Sequence, residues 1–409
     1  MRLLYTLGIR AYGIGIKIAA FRNPKAEKWV SGRKSALPSL ESDRPPIWFH
    51  CASTGEFEQG RPVMEALKHS ASEQPLLLTF FSPSGYELKK SDALADAVTY
   101  LPLDTPDRMR KFITHYRPAA AVFVKYEIWH NCLAELQRQN IPTFLISAKF
   151  REDQVYFKPW GKWFLRSLGI FRTVFTQDRR STSLLKAAGI KNSITAGDTR
   201  FDRVAEIAEK GMPVEKVAEF RNNGLLIAAG STWPADEALI AEWWREAAEK
   251  NPKLKLVLVP HEVSEAHTAE LKRRFPGACT FDESADASTR VLIVDKMGYL
   301  SRIYRHADIA YVGGGFGTGI HNLLEPSAFG CPVIFGPNHE KFDEARGLIE
   351  AGGGFEVRDK KSFAGIADEL LRSEAFREKS SDASRRYTES GRGATARIAK
   401  EIRETGVSP

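Results

Sequence analysis

From residue 46 onward, short apolar runs alternate with longer segments whose apolar positions recur at helical spacing. The strand candidates in the first half are IWFHCAS (47–53), LLLTFFS (76–82), AVTYLPL (97–103), AAAVFVKYEI (119–128), TFLISAKF (143–150), TVFTQ (173–177) and SITAGD (193–198). Helical segments such as EQGRPVMEALKHSA, TPDRMRKFITHY and HNCLAELQRQN lie between them. A βαβ series of this kind predicts a parallel sheet with helices on both faces. A charged stretch from about 202 to 224 reads as a helix and a linker. The alternation then restarts with LLIAAGS (225–231), KLVLVPH (255–261), RVLIVD (290–295), DIAYVGGG (308–315), CPVIFGP (331–337) and GFEVRD (354–359). A polar helical pattern fills about 373 to 404. The pattern therefore predicts an α/β protein of two doubly wound, Rossmann-like domains facing a cleft. No solenoid period or low-complexity segment is visible. The expected boundaries are a basic apolar segment at 1–34, domains at 35–210 and 211–385, and a C-terminal helix and tail at 386–409.

The 409 residues are 43% hydrophobic and 27% charged, which excludes a disordered chain and a multi-span membrane protein. The net charge of +8 invites a nucleic-acid reading, so its position matters. Residues 1–34 hold eight basic residues and one acid, Glu27, which accounts for +7 of it. The body is near neutral and carries no zinc-finger or RNP-like pattern, so no nucleic-acid partner is expected. Four cysteines without short spacings exclude a disulfide framework and cysteine zinc sites, and point to a reducing compartment.

Residues 3–21, LLYTLGIRAYGIGIKIAAF, are mostly apolar, but Arg10 and Lys17 interrupt them. A spanning helix and a cleaved signal peptide are both disfavoured. Arg10 and Lys17 are seven apart and share one helix face. That suits a helix lying in a bilayer surface with its basic chains reaching the headgroups. The basic residues from Arg22 to Lys34 would add attraction to anionic lipid. The plainer alternative is an amphipathic helix packed on the body.

In doubly wound sheets ligands sit beyond the carboxyl ends of the strands, so the residues after each strand carry the chemistry. Ser53-Thr54-Gly55-Glu56 follows the first strand and opens a helix. Glu56 there is either a general base towards a hydroxyl or an acid complementing the helix dipole. Lys125 and Glu127, two apart on the strand candidate 119–128, point to one face as an ion pair or as a second part of the same site. Arg200, in GDTRFD, suits a carboxylate or phosphate. The strongest element is GGGFGTGIHNLLEP (313–326), a strand running into a glycine loop and then a helix start. Its N–H groups would hold a phosphate, with Gly315 in the loop, His321 and Asn322 as side-chain donors and Glu325 accepting from ribose hydroxyls. It is neither a Walker A loop nor G-x-G-x-x-G. No H-E-x-x-H, D-x-D or close histidine cluster occurs, so neither a metal nor another cofactor is expected.

Taken in order, WFHCASTGE with Arg61-Pro62, KYEIWHN, GDTRFD, GSTWPADE, VDKMGYL and GGGFGTGIHNLLEPSAFGCPVIFGPN resemble the 3-deoxy-D-manno-octulosonic acid (Kdo) transferases of Gram-negative lipopolysaccharide synthesis. The resemblance implies a GT-B glycosyltransferase with the acceptor mainly on the first domain and the donor nucleotide mainly on the second. It implies CMP-Kdo as donor, a lipid A precursor (lipid IVA) as acceptor, and inversion without a metal. It implies Glu56 as general base and Arg200 as the transition-state stabiliser that is usually Lys. Pro260 and His261 match a Pro-Arg pair that contacts CMP, and Met297, Gly298 and Tyr299 match a Met-Gly-Glu contact. Asn322, Leu323, Leu324 and Glu325 match an Asn-Pro-Leu-Glu contact. With the N-terminal segment, it implies a peripheral or monotopic protein at the cytoplasmic face of the inner membrane, held by an anionic membrane surface. Three positions depart from the pattern. Lys125 stands where an acid supports the transition state, leaving Glu127; His261 replaces Arg and Tyr299 replaces Glu. The main alternative is another GT-B enzyme acting on a UDP-sugar, a transferase or a 2-epimerase.

Overall fold

The computed structural model describes residues 1–70, 74–286 and 288–405. The chain divides into two compact units, Met1–Asp202 with Arg392–Pro409, and Arg203–Gly391. The division falls inside the helix Thr199–Lys210, where the sequence reading had 210, and the second crossing lies at 391 rather than 385.

The first unit is built on a seven-stranded sheet of β1 (Ile47–Cys51), β2 (Leu76–Phe80), β3 (Ala97–Tyr100), β4 (Ala120–Val124), β5 (Thr143–Ala148), β6 (Thr173–Thr176) and β7 (Ser193–Thr195). Their order is β3-β2-β1-β4-β5-β6-β7, all parallel, with Trp48 opposite Leu77 on one side and Ala121 on the other. β1, β2, β4 and β5 are buried throughout because helices cover both faces. Alternation splits β1: Ile47, Phe49 and Cys51 enter the core of one face and Trp48 that of the other. The C-terminal helix Ala394–Glu404 returns to this unit because Ile398, Ala399 and Ile402 complete the first of those cores. Burying the two isoleucines contributes roughly 1.5–3 kcal/mol each. Asp202 fixes the helix start by accepting from the N–H groups of Gly393 (2.7 Å) and Thr395 (2.8 Å).

The second unit repeats the plan with β8 (Leu226–Thr232), β9 (Lys255–Pro260), β10 (Cys279–Thr280), β11 (Val291–Ile293), β12 (Ile309–Val312), β13 (Val333–Phe335) and β14 (Gly354–Glu356), in the parallel order β10-β11-β9-β8-β12-β13-β14. The thirteen strands expected from the sequence are all present, most of them shorter than their apolar runs. Only β10 is additional; two residues carry no periodic signal. The 202–224 stretch forms two helices, Thr199–Lys210 and Glu215–Arg221. All four cysteines are buried thiols.

The N-terminal segment forms helices Arg2–Ala19 and Pro24–Gly32, joined at Asn23, whose side chain accepts from the N–H groups of Lys25 and Ala26. One face of the first helix docks on the first unit. Tyr5 donates to Asp104 (2.6 Å), Thr6 bonds to Asn131, and Gly13 lies against Leu103 where a Cβ would come within 2.6 Å. The other face leaves Leu3, Leu7, Ile14 and Ile18 exposed beside Arg10 and Lys17. Among the described residues no helix is long and apolar enough to cross a membrane.

Candidate active site

Strand order reverses between β1 and β4 in the first sheet and between β8 and β12 in the second. Carboxyl ends at such switch points are where doubly wound sheets bind ligands.

In the first unit, β1 feeds the helix Thr54–Ser70 within three residues. Glu56, in its first turn, is 9% exposed and accepts a hydrogen bond from the Ala52 N–H. Burial, and then the Glu127 charge, push its carboxyl up from 4.5 to about 7, against the Ala52 and Ser53 N–H groups and the Lys125 charge. Near neutral pH this carboxylate is basic enough to take a proton and still substantially ionised.

The expected strand 119–128 ends at Val124. Lys125 takes φ 61° and turns the chain, so Lys125 and Glu127 do not share a strand face as expected. Glu127 instead accepts from Trp129 Nε1 (2.7 Å) and meets His50 Nε2 (3.1 Å). His50 is fully buried on β1, and its Nδ1 lies 2.9 Å from the Thr79 hydroxyl, which also accepts from Trp48 Nε1 (2.8 Å). In the tautomer protonated on Nε2, Nδ1 accepts from the Thr79 hydroxyl and Nε2 donates to Glu127. His50 and Trp129 thus fix the carboxylate that lifts Glu56. Both lie in WFHCAS and KYEIWHN, yet nothing in the alternation marks a buried histidine as a site residue.

Arg200 is not at a strand end. β7 stops at Thr195, and Arg200 sits in the first turn of the helix Thr199–Lys210, where its Nε (2.9 Å) and terminal nitrogen (2.7 Å) donate to Asp198. An anion reaching this guanidinium competes with, or shares it with, Asp198. Thr199 donates to the Gln59 carbonyl (2.6 Å), tying this helix start to the helix that carries Glu56.

In the second unit, the expected nucleotide residues fall at the carboxyl ends of three strands, β11, β9 and β12, with β8 between the last two. Pro260 ends β9 and His261 follows it; Met297, Gly298 and Tyr299 follow β11. Met297 and His261 are exposed, and Tyr299 packs on Phe281. The glycine loop leaves β12 and closes on itself. Gly317 and Gly319 donate to the Gly314 carbonyl, and Asn338 donates to the Gly315 carbonyl. Gly315 must be glycine, since a Cβ would lie 2.6 Å from the Gly336 backbone. The helix starts only at Leu324 and runs for five residues, so the glycines do not form a helix N-terminus as the sequence suggested. Available donors come from the loop itself: the Gly315, Phe316 and Thr318 amides take no part in these bonds.

The loop is anchored by Asp236, which is 1% exposed and accepts from Gly314 N–H (2.9 Å), Trp233 N–H (2.9 Å) and the Tyr311 hydroxyl (2.6 Å). His321 accepts from Trp233 Nε1 (3.1 Å) and stacks on His261 at 4.4 Å, which in turn stacks on Trp233 at 4.6 Å. Burial, then the His261 charge, hold His321 below its usual value. Asn322, one residue before the N-cap of the short helix, accepts from the Leu324 N–H (3.1 Å) and donates to Glu325 (3.1 Å). Leu323 and Leu324 are buried, so their side chains serve the core. Trp233 and Asp236 were not among the expected site residues. WPADE (233–237) follows β8 directly, and the strand-end rule applied there would have found them. Among the described residues no group of three or more His, Cys, Asp or Glu could hold a metal ion.

Two Rossmann-like units, each carrying polar chemistry at its switch point, define the GT-B class of glycosyltransferases and related sugar-nucleotide enzymes. A family profile described as 3-deoxy-D-manno-octulosonic-acid transferase (kdotransferase) matches residues 27–203. The 3-deoxy-D-manno-octulosonic acid transferase of Aquifex aeolicus is 32% identical over 337 residues, covering 81% of this chain and 88% of that one. The Haemophilus influenzae transferase is 29% identical over 401 residues, covering 94% and 92%. The chain belongs to the Kdo transferase family and is a glycosyltransferase. The UDP-N-acetylglucosamine 2-epimerase of Neisseria meningitidis superposes with a TM-score of 0.63 over 87% of this chain and 99% of its own, at 13% identity. That likeness is one of fold.

Proposed function

We propose that this chain transfers Kdo from CMP-Kdo to a lipid A precursor, lipid IVA, with inversion and without a metal ion, and that Glu56 is the general base. The acceptor hydroxyl oxygen attacks the anomeric carbon as its proton passes to Glu56. The bond from that carbon to the CMP phosphate breaks, and CMP leaves with the bonding pair. Free amides of the glycine loop stabilise the departing phosphate, and Asn322 and Glu325 are placed for the nucleotide. Arg200 serves the anionic sugar, held in aim by Asp198. The single observation that carries this reading is Glu56: a buried carboxyl at a switch point, lifted to about 7 beside Glu127. Family membership supports the donor and acceptor. The departures at Lys125, His261 and Tyr299 bear on binding more than on the reaction class.

The reading includes attachment at the cytoplasmic face of the inner membrane. Leu3 (80% exposed) and Phe21 (89% exposed) extend an apolar surface among Arg10, Lys17 and Arg22, which suits partial insertion beneath anionic headgroups. The function is tested by incubating the protein with CMP-Kdo and lipid IVA in EDTA, following CMP release and lipid mass. Expected is CMP release matched by lipid gaining the mass of one or more Kdo units. Turnover of a UDP-sugar with none of CMP-Kdo would overturn it.

A further inference from the structure

Beside the second N-terminal helix lies a cavity of about 600 Å³ that the transfer chemistry does not use. One wall is the turn Gly32–Leu37. The other is the helix Pro106–Tyr116, whose Arg108, Lys111 and His115 fall on one face at helical spacing. With Arg33 and Lys34 they bring five basic side chains to one cavity, and no acid lines it. Among the described residues, the side chains of Lys34, Arg108, Lys111 and His115 have no ion pair or hydrogen bond. The volume lies within the usual range for small-molecule sites.

We propose that this cavity binds a phosphomonoester group carried on a small polar head. Two features favour that chemistry over a simple counter-ion cloud. First, Arg33 is held in place: its guanidinium lies 3.8 Å over Trp29 and within 5 Å of Phe81 and Tyr100, and donates to the Phe81 (2.7 Å) and Leu101 (2.9 Å) carbonyls. It is a fixed positive wall, and burial pushes it down to about 9 with help from the Arg108 charge, so a facing anion relieves a real electrostatic load. Second, Phe112, Tyr100 and Leu37 give the cavity apolar sides, which suit a sugar ring or alkyl stem beneath the phosphate. A phosphomonoester carries about −1.5 to −2 charges at pH 7 and offers three acceptor oxygens to this set of donors. A diester carries one charge and fewer free oxygens. The wall at Gly32 continues directly from the basic apolar N-terminal segment, so a membrane-borne headgroup and a free phosphate are the two sources of the same chemistry.

The full-length protein tests this by co-sedimentation with phosphatidylcholine vesicles containing either phosphatidic acid or phosphatidylglycerol at equal mole fraction. Three proteins are compared: wild type, Arg108→Ala with Lys111→Ala, and the charge-matched control Lys379→Ala with Arg386→Ala, exposed on the second unit. The proposal expects wild type to favour phosphatidic acid at least fivefold, the cavity variant to lose that preference, and the control to keep it. Melting temperature is followed for each, and Arg108→Gln with Lys111→Gln replaces the alanine pair if it falls. Inorganic phosphate at tens of millimolar separates the sources. Displacement assigns the cavity to phosphate in free form as well, and retention assigns it to the lipid-borne group. Equal wild-type binding to the two anionic vesicles, or equal losses in the cavity variant and the control, would overturn the proposal. Displacement by a short oligonucleotide at concentrations where inorganic phosphate and a sugar phosphate fail would also overturn it, in favour of nucleic acid.

Discussion

Replacing Glu56 by Gln keeps the shape of the side chain and removes its titration, which makes the lifted carboxyl measurable as stability. In the folded protein the group titrates near 7, against 4.5 in the unfolded chain. Between those values the folded state binds more protons than the unfolded state, so wild-type stability falls as pH rises through the window. The difference of about 2.5 units at 1.36 kcal/mol each is on the order of 3 kcal/mol, an upper figure for a group coupled to Glu127. Titrations elsewhere are common to both proteins and cancel in the difference. E56Q, referenced to wild type at pH 4, therefore gains up to about 3 kcal/mol by pH 8. The bonds from the Ala52 and Ser53 N–H groups to the ionised carboxyl are already contained in this figure, because they hold the value at about 7 against the larger effect of burial. The assay is urea unfolding of both proteins at half-unit steps from pH 4 to 8. Turnover by wild type should rise through the same region and level off above it. A stability difference that stays flat within 1 kcal/mol, or that moves against E56Q as pH rises, would refute the lifted carboxyl and return Glu56 to the role of dipole-complementing acid.

Four further outcomes follow from the same geometry. Asp236→Ala leaves the Gly314 and Trp233 amides and the Tyr311 hydroxyl without their acceptor, so unfolding of the second unit should come roughly 2–5 kcal/mol cheaper, and CMP protection should weaken; an unchanged melting curve would contradict the anchor. Glu325→Ala should abolish stabilisation by CMP while leaving the unliganded melting temperature near wild type, and full retained protection would remove Glu325 from the nucleotide site. A histidine held below its usual value destabilises the fold as pH falls through the unfolded value, so if the phosphate sits by His321, CMP should raise the melting temperature more at pH 5.5 than at 7.5; an equal or smaller shift at pH 5.5 would contradict that placement. Leu7→Gln with Ile14→Gln should weaken binding to anionic vesicles at least tenfold without unfolding the first unit, since both residues lie on the exposed face of their helix; unchanged binding would place the attachment elsewhere.

The parallel sheets were legible because strands buried on both faces read as apolar runs, as LLLTF and KLVLVP do. Where the runs misled was at their ends. In AAAVFVKYEI the strand stops at Val124, because Lys125 adopts a left-handed conformation that no propensity announces. The same limit applies to the glycine loop: its composition marked a candidate phosphate site, but not that its own carbonyls take several of its amides, nor that the helix waits until Leu324. Glu56 stood out as a candidate from its position after β1, and the role of base came from the family resemblance. His50, Trp129 and Asp236 act through contacts between residues 75 to 79 positions apart or across a loop, and strand topology is needed to see them. The return of Ala394–Glu404 to the first unit is likewise a matter of long-range packing.

The central claim is that Glu56 takes the proton from the acceptor during Kdo transfer, and the rate of CMP release by E56Q tests it most directly. Wild type and E56Q are compared at pH 8 with saturating CMP-Kdo and lipid IVA, with CMP affinity and melting temperature measured on the same preparations. The account predicts a fall of ~10²–10⁴-fold in turnover, the usual worth of a general base, with CMP affinity within twofold of wild type and no loss of fold. Turnover by E56Q within threefold of wild type, with lipid mass increasing as before, would contradict it and leave Glu127 as the remaining carboxylate at the switch point.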